Sequence, residues 1–116
     1  MIRDKINTIN VHELKDLMEN QTNWHLIDVR ELDEWESMHI RGALHIPKDC
    51  ISFEIENKIP DKSRPIYLHC KSGVRSLYAA QCLIDLGYLE VYSVEGGIMA
   101  WATSGYPVEQ ESYTTP

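Results

Sequence analysis

One short run of this chain combines residue types that could do chemistry at a useful spacing: His69-Cys70-Lys71-Ser72-Gly73-Val74-Arg75-Ser76. A cysteine attacks as its thiolate, and a free thiol of pKa ~8.5 is only about 3% ionised at pH 7. A downward shift of two units, worth ~2.7 kcal/mol, makes it mostly thiolate. A loop that turns several N–H groups inward, followed by a helix N-terminus, favours both the thiolate and an anion bound beside it. Gly73 permits the tight curl such a loop needs. Arg75 offers a planar fork to an oxyanion such as a sulfonate or phosphate, and Lys71 adds a point charge.

The flanking pattern predicts how this run is positioned. Ile66-Tyr67-Leu68 follows Pro65 as a short apolar, β-compatible stretch that leads to Cys70. Beyond Gly73, Leu77, Ala80 and Ile84 recur at helical period, with Ala79 and Leu83 widening the same face. Cys70 therefore belongs at a strand-to-helix junction, where open parallel sheets place their sites. The rest of the chain alternates in the same way. Asn10 and Glu13 have capping-box spacing before a helix that ends near Asn20, and Trp24 to Val29 reads as a buried strand. Asp33 to Met38 suits a helical turn, Ala43 to Ile46 a brief strand stopped by Pro47, and Ile51 to Ile59 a short helix before Pro60. Gly87 closes the central helix, Val91 to Val94 is a strand, and Gly97 to Thr103 is a last helix ended by Gly105 and Pro107. The fold class expected is α/β, a central parallel sheet with helices on both faces. A single domain fills 1–116, with a core from about 9 to 108, and the polar tail 109–116 is expected to fray.

Size and charge narrow the functions. At 116 residues the chain makes one core that buries roughly two-thirds of its unfolded surface. A net charge of −7 argues against nucleic acid or an anionic membrane as partner, since both need a basic footprint. Cys50, Cys70 and Cys82 are odd in number and lack metal-type spacing, which suggests neither a disulfide framework nor a zinc site; no metal or cofactor is expected. Met1-Ile2-Arg3-Asp4-Lys5 leads into no apolar run of signal-peptide length, so the expectation is a soluble cytoplasmic protein. Cys82 falls roughly 120° from the centre of the apolar face of its helix, and neither it nor Cys50 is supported as a second reactive thiol. Asp28 and Arg30, a charged pair at a strand end, are expected to brace the site rather than touch substrate. Trp35 and Trp101 suit core or rim positions, and His39 a hydrogen-bonded structural role.

Four ordered segments resemble the rhodanese-like sulfurtransferases over Val11 to Val108: Leu26-Ile27-Asp28-Val29-Arg30-Glu31, His39-Ile40-Arg41-Gly42-Ala43-Leu44-His45-Ile46-Pro47, Cys70 to Ser76, and Gly96-Gly97-Ile98-Met99-Ala100-Trp101. The resemblance implies that Cys70 is a catalytic nucleophile. It would take a sulfane sulfur from a donor such as thiosulfate, become a persulfide, and pass the sulfur to cyanide, a thiol or a protein acceptor. The loop residues Lys71, Ser72, Gly73, Val74, Arg75 and Ser76 would cradle that persulfide. Cell-cycle dual-specificity phosphatases are similar in architecture but place five residues between Cys and Arg, where this chain has four. The shorter loop favours sulfur, while His69-Cys70 is shared with the phosphatase pattern. The alternatives are a non-catalytic persulfide carrier, which would use the same thiol, and a partner-binding rhodanese module. One departure from the family pattern is Met38, which stands where a glycine usually precedes His39-Ile40 and puts the local turn geometry in question.

Overall fold

A computed structural model describes residues 6–110. Its sheet has five strands, β1 (Asn7–Ile9), β2 (His25–Asp28), β3 (Leu44–His45), β4 (Ile66–His69) and β5 (Val91–Val94), in the order β1-β5-β4-β2-β3. Every pair is parallel. Helices α1 (Val11–Asn20), α2 (Leu32–Ser37), α3 (Ile51–Lys58), α4 (Val74–Asp85) and α5 (Gly97–Thr103) connect them, with a 3₁₀ turn at Lys48–Cys50 before α3.

Strand alternation divides the core between the two faces of the sheet. Ile27, Ile66, Leu68 and Val91 join Ile55, Ala80 and Leu83 on one side, where α3 and α4 lie. Leu26, Tyr67 and Val94 join Leu14, Ile98 and Trp101 on the other, covered by α1 and α5. Fully burying one such aliphatic side chain contributes about 1.5–3 kcal/mol. The period of two also aims the chemistry. Ile66, Leu68 and Cys70 share a parity, so the Cys70 thiol points to the α4 side, as does Ser93, which shares the parity of Val91. From β2 the chain runs outward to β3, and from β4 it runs the opposite way to β5. The β2 and β4 carboxyl ends therefore flank the point where the connections diverge, the usual place for a binding crevice.

Most elements fall where the sequence pattern places them. Asn10 caps α1 with its side chain accepting from the Glu13 amide at 2.8 Å, while Glu13 Oε1 accepts from the Asn10 amide at 3.0 Å. Three features differ. The edge strand β1 has no counterpart in the periodicity, because three residues with two exposed side chains carry no pattern. The buried face of α4 is Ser76, Ala79, Ala80 and Leu83, with Leu77 turned outward at 38% exposure; the helix is rotated so that Ser76 meets the cysteine. The tail does not fray at its start, because Glu109 exchanges backbone hydrogen bonds with His39 at 2.7 Å each and its carboxylate pairs with Arg41 at 2.6 Å. Residues 111–116 lie outside the described residues. Among the described residues, no helix is long and apolar enough to cross a membrane.

Candidate active site

The Cys70 loop starts where β4 ends and finishes as the cap of α4. Gly73 takes the N-cap position with φ 108°, a left-handed conformation that glycine adopts without strain, and no side chain caps the helix. The first amides of a helix lack intrahelical acceptors. Here the cysteine sulfur supplies one: Sγ accepts from the Gly73 amide at 3.1 Å and from the Ser76 amide at 3.4 Å, with Ser76 Oγ 3.6 Å away. The thiol thus occupies the place of a capping side chain, an arrangement that favours negative charge on sulfur. Cys70 is only 1% exposed. Burial pushes its pKa up, but the Ser76 hydroxyl and the Ser76, Gly73 and Ser72 amides outweigh burial, and the net shift is downward.

The loop backbone rests on the start of α5. The Ile98 amide donates to the Cys70 carbonyl at 2.9 Å and the Met99 amide to the Lys71 carbonyl at 3.1 Å. Contact is so close that a Cβ on Gly97 would come within 2.3 Å of the Cys70 carbonyl oxygen and 2.7 Å of that of Lys71. The pair Gly96-Gly97 is therefore a seat for the cysteine loop.

Beneath the loop lies a buried polar cluster. Asp28, fully buried, accepts from the Arg30 amide at 3.0 Å and from the Arg30 guanidinium through Nε at 3.0 Å and Nη2 at 2.8 Å. Arg30 also donates to the Met38 carbonyl at 2.5 Å, tying the strand exit to the end of α2. Burial works to raise the Asp28 pKa, but the bond from Arg30 prevails and the carboxyl is held below its ordinary range. His69 pairs across the sheet with Asp28, and its Nε2 lies 3.6 Å from Asp28 Oδ2. Complete burial lowers the His69 pKa. Neither Asp28 nor the Arg30 guanidinium is among the groups bonded to Sγ.

Arg75 has a partner that the sequence does not announce. Its Nη1 and Nη2 donate to the two carboxylate oxygens of Glu34 at 2.7 and 2.9 Å, linking α4 to α2. The fork that an oxyanion would use faces Glu34, whose pKa is pulled down to about 2, chiefly by this bond. Lys71 and Ser72 are exposed at the rim, and Val74 is 59% exposed. Two depressions flank the loop. One of about 250 Å³ is lined by Lys71, Glu34, Met38 and Met99, and one of about 430 Å³ by Ser72, Gly73, Ser93 and Glu95. A larger groove of about 560 Å³ follows the outer face of α4 past Tyr78 and Cys82, and none of residues 70–73 line it.

The remaining residues singled out in the sequence are peripheral to the sulfur. Met38 has φ −170°, extended backbone that any residue adopts, so the place of the family glycine imposes no strain here. His39 is 7% exposed with Nδ1 2.8 Å from the Trp35 carbonyl oxygen, and Trp35 stacks on the His39 ring at 3.8 Å. Trp101 is in the core, its indole N–H bonded to the Pro107 carbonyl at 2.8 Å. Burial and nearby Glu54 push the Cys50 thiol up, opposite in direction to Cys70. Ser93, Glu34 and Gly97 contribute to the site without having been legible as a set. The glycine pair after β5 was the one visible signal.

Fold and site together define a small parallel α/β domain with a buried cysteine held at a helix N-terminus. The rhodanese-like domain family model matches residues 10–104, and the chain belongs to that family. It is 40% identical over 104 residues to the probable adenylyltransferase/sulfurtransferase MoeZ of Mycobacterium tuberculosis, an alignment that covers 89% of this chain but 26% of MoeZ. It is 34% identical over 101 residues to the thiosulfate sulfurtransferase GlpE of Vibrio cholerae, covering 87% of this chain and 92% of the relative. Among solved structures, the rhodanese-like domain of an Anabaena protein superposes with a TM-score of 0.83 at 27% identity, covering 97% of this chain and 86% of that one.

Proposed function

We propose that this protein is a sulfurtransferase that moves a sulfane sulfur from a donor such as thiosulfate to a thiophilic acceptor through a persulfide on Cys70. The observation that carries the reading is the capping of a buried Sγ by the Gly73 and Ser76 amides and the Ser76 hydroxyl, with its net downward pKa shift. The sulfurtransferase names of the relatives support the same chemistry. In the first half-reaction the thiolate attacks the outer sulfur of thiosulfate. The donor S–S bond breaks, its electron pair leaves on sulfite, and Cys70 carries a persulfide anion. In the second, cyanide or an acceptor thiolate attacks the outer sulfur, and the electron pair of the Sγ–S bond returns to Cys70. The leaving group is then the same thiolate that the loop amides stabilise, so one set of donors serves both steps. The attacking species is the thiolate, whose formation the capping amides and hydroxyl favour, so the step invokes no separate general base.

On this reading Lys71 meets the anionic end of a donor first, with Arg75 adding its field from the Glu34 pair. Four residues between Cys70 and Arg75 give a cradle sized for one added sulfur rather than a phosphoryl group with its three oxygens. The test is transfer from thiosulfate to cyanide, followed as thiocyanate, with aryl phosphate hydrolysis measured on the same preparation. Cys70→Ser should abolish transfer and Cys82→Ser should leave it intact, with negligible phosphatase turnover throughout. Transfer that survives Cys70→Ser, or efficient Cys70-dependent phosphatase activity without sulfur transfer, would sink the proposal.

A further inference from the structure

Ser76 Oγ carries one proton and has three possible outlets for it: Cys70 Sγ at 3.6 Å, the Gly73 carbonyl at 3.2 Å and Ser93 Oγ at 2.7 Å. The shortest contact is to Ser93, on β5, outside the cysteine loop. Both serines are buried, at 0% and 2% exposure. Either hydroxyl of this pair could be the donor; with the Ser76 proton turned to the sulfur or to the Gly73 carbonyl, the buried Ser93 hydroxyl is satisfied by donating to Ser76 Oγ. That donation closes one of the three outlets. The Ser76 proton is left to the Gly73 carbonyl or the sulfur, and a charged sulfur is the stronger acceptor.

We propose that Ser93 is a positioning residue for the nucleophile, whose hydroxyl directs the Ser76 O–H at Cys70 Sγ. The inference deepens the sulfurtransferase reading and rests on it for its biological meaning. In the thiolate state the chain runs Ser93 O–H to Ser76 Oγ and Ser76 O–H to Sγ, each bond polarising the next. In the thiol state the S–H points at Ser76 Oγ and the Ser76 proton turns to the Gly73 carbonyl. Ser93 also lines the depression of about 430 Å³ on the β5 side, so the pair connects the buried sulfur to a surface recess. Other charged groups around the loop are fixed by their own partners: Arg75 by Glu34, Arg30 by Asp28 with His69 beside it, and Glu95 by the Thr8 hydroxyl at 3.0 Å. Lys71, the exposed neighbour of Cys70, contributes the same field to every variant below.

The test is the pH dependence of Cys70 alkylation by iodoacetamide, followed by intact mass in a Cys50→Ser/Cys82→Ser background, with thermal unfolding as the check on folding. Loss of a hydrogen bond worth about 0.5–1.5 kcal/mol corresponds to about 0.4–1.1 pH units. Ser76→Ala should move the alkylation midpoint up by about one unit and Ser93→Ala by about half a unit. Because Ser93 acts through Ser76, the double variant should titrate like Ser76→Ala alone, a non-additivity that a merely structural role would not produce. A Ser93→Ala midpoint equal to or below that of the parent, or a Ser93→Ala shift that persists in the Ser76→Ala background, overturns the proposal. Should Ser93→Ala not fold, Ser93→Thr, which keeps a hydroxyl on β5, is measured instead and should hold the parent midpoint; an upward shift of about half a unit or more would overturn the proposal. No sulfur donor enters this measurement, so failure to take up sulfane sulfur would count against the functional reading and leave the test of Ser93 intact.

Discussion

Two neighbouring strand ends, β2 at Asp28 and β4 at Cys70, each hold a buried acidic group, and they hold it in opposite ways. Asp28 is bonded by a full cation: Arg30 sits two residues away and supplies both its amide and its guanidinium. Cys70 Sγ is bonded by dipoles, two amides and a hydroxyl, and the guanidinium of Arg75, on the helix that the loop caps, is committed to Glu34. A buried carboxylate closed by its own cation is structurally fixed and poorly nucleophilic. A sulfur held only by oriented N–H and O–H groups keeps its electron pair available while its ionised form is still favoured. At one end of the sheet the comparison sets a carboxylate neutralised by charge beside a sulfur supported by dipoles; under the proposed function the first is the brace and the second the reactive atom.

Breaking the brace should have the largest effect. Arg30→Met leaves Asp28 buried without a counter-charge and should cost about 3–5 kcal/mol in urea unfolding. Stability within about 1 kcal/mol of the parent would mean that the pair is not the brace described, since replacing an exposed residue typically changes stability by less than that. Next comes the seat of the loop. Gly97→Ala drives a methyl against the Cys70 carbonyl at a residue with φ 55°, and should cost about 1–3 kcal/mol while reducing sulfur transfer more than proportionally. Unchanged transfer in a folded Gly97→Ala protein would show that the loop does not depend on that contact. The smallest effect belongs to the Glu34–Arg75 link, a part-exposed pair worth about 0.2–1 kcal/mol. With the Glu34 pKa lowered from 4.5 to about 2, its contribution is complete above pH 4.5 and is lost as pH falls towards 2. Comparing Glu34→Gln with the parent should therefore give a stability difference that shrinks across that window, and a difference independent of pH would exclude the linkage.

The candidate site was legible in the sequence because Cys70, Gly73 and Arg75 are packed into one turn, and strand and helical periods on either side placed them at the junction the structure shows. The sequence also placed α5 at Gly97 to Thr103, because glycine and proline mark its ends. What it did not reveal depends on distance along the chain. Glu34 meets Arg75 across 41 residues and Ser93 meets Ser76 across 17, and neither residue belongs to a local pattern. The rotation of α4 was missed for a related reason: Leu77 looks like a core residue by hydrophobicity, but the helix turns Ser76 inward to reach the sulfur. Strand β1 was too short, and too exposed, for alternation to register.

The most direct test of Cys70 as the atom that carries the sulfur is intact mass after incubation with thiosulfate or another sulfane donor, followed by peptide mapping under non-reducing conditions. The account predicts a gain of one sulfur atom, located on the peptide containing Cys70 and discharged by cyanide. Sulfur found on Cys50 or Cys82 instead, or no adduct with any sulfane donor while Cys70 remains free and the protein folded, would contradict it.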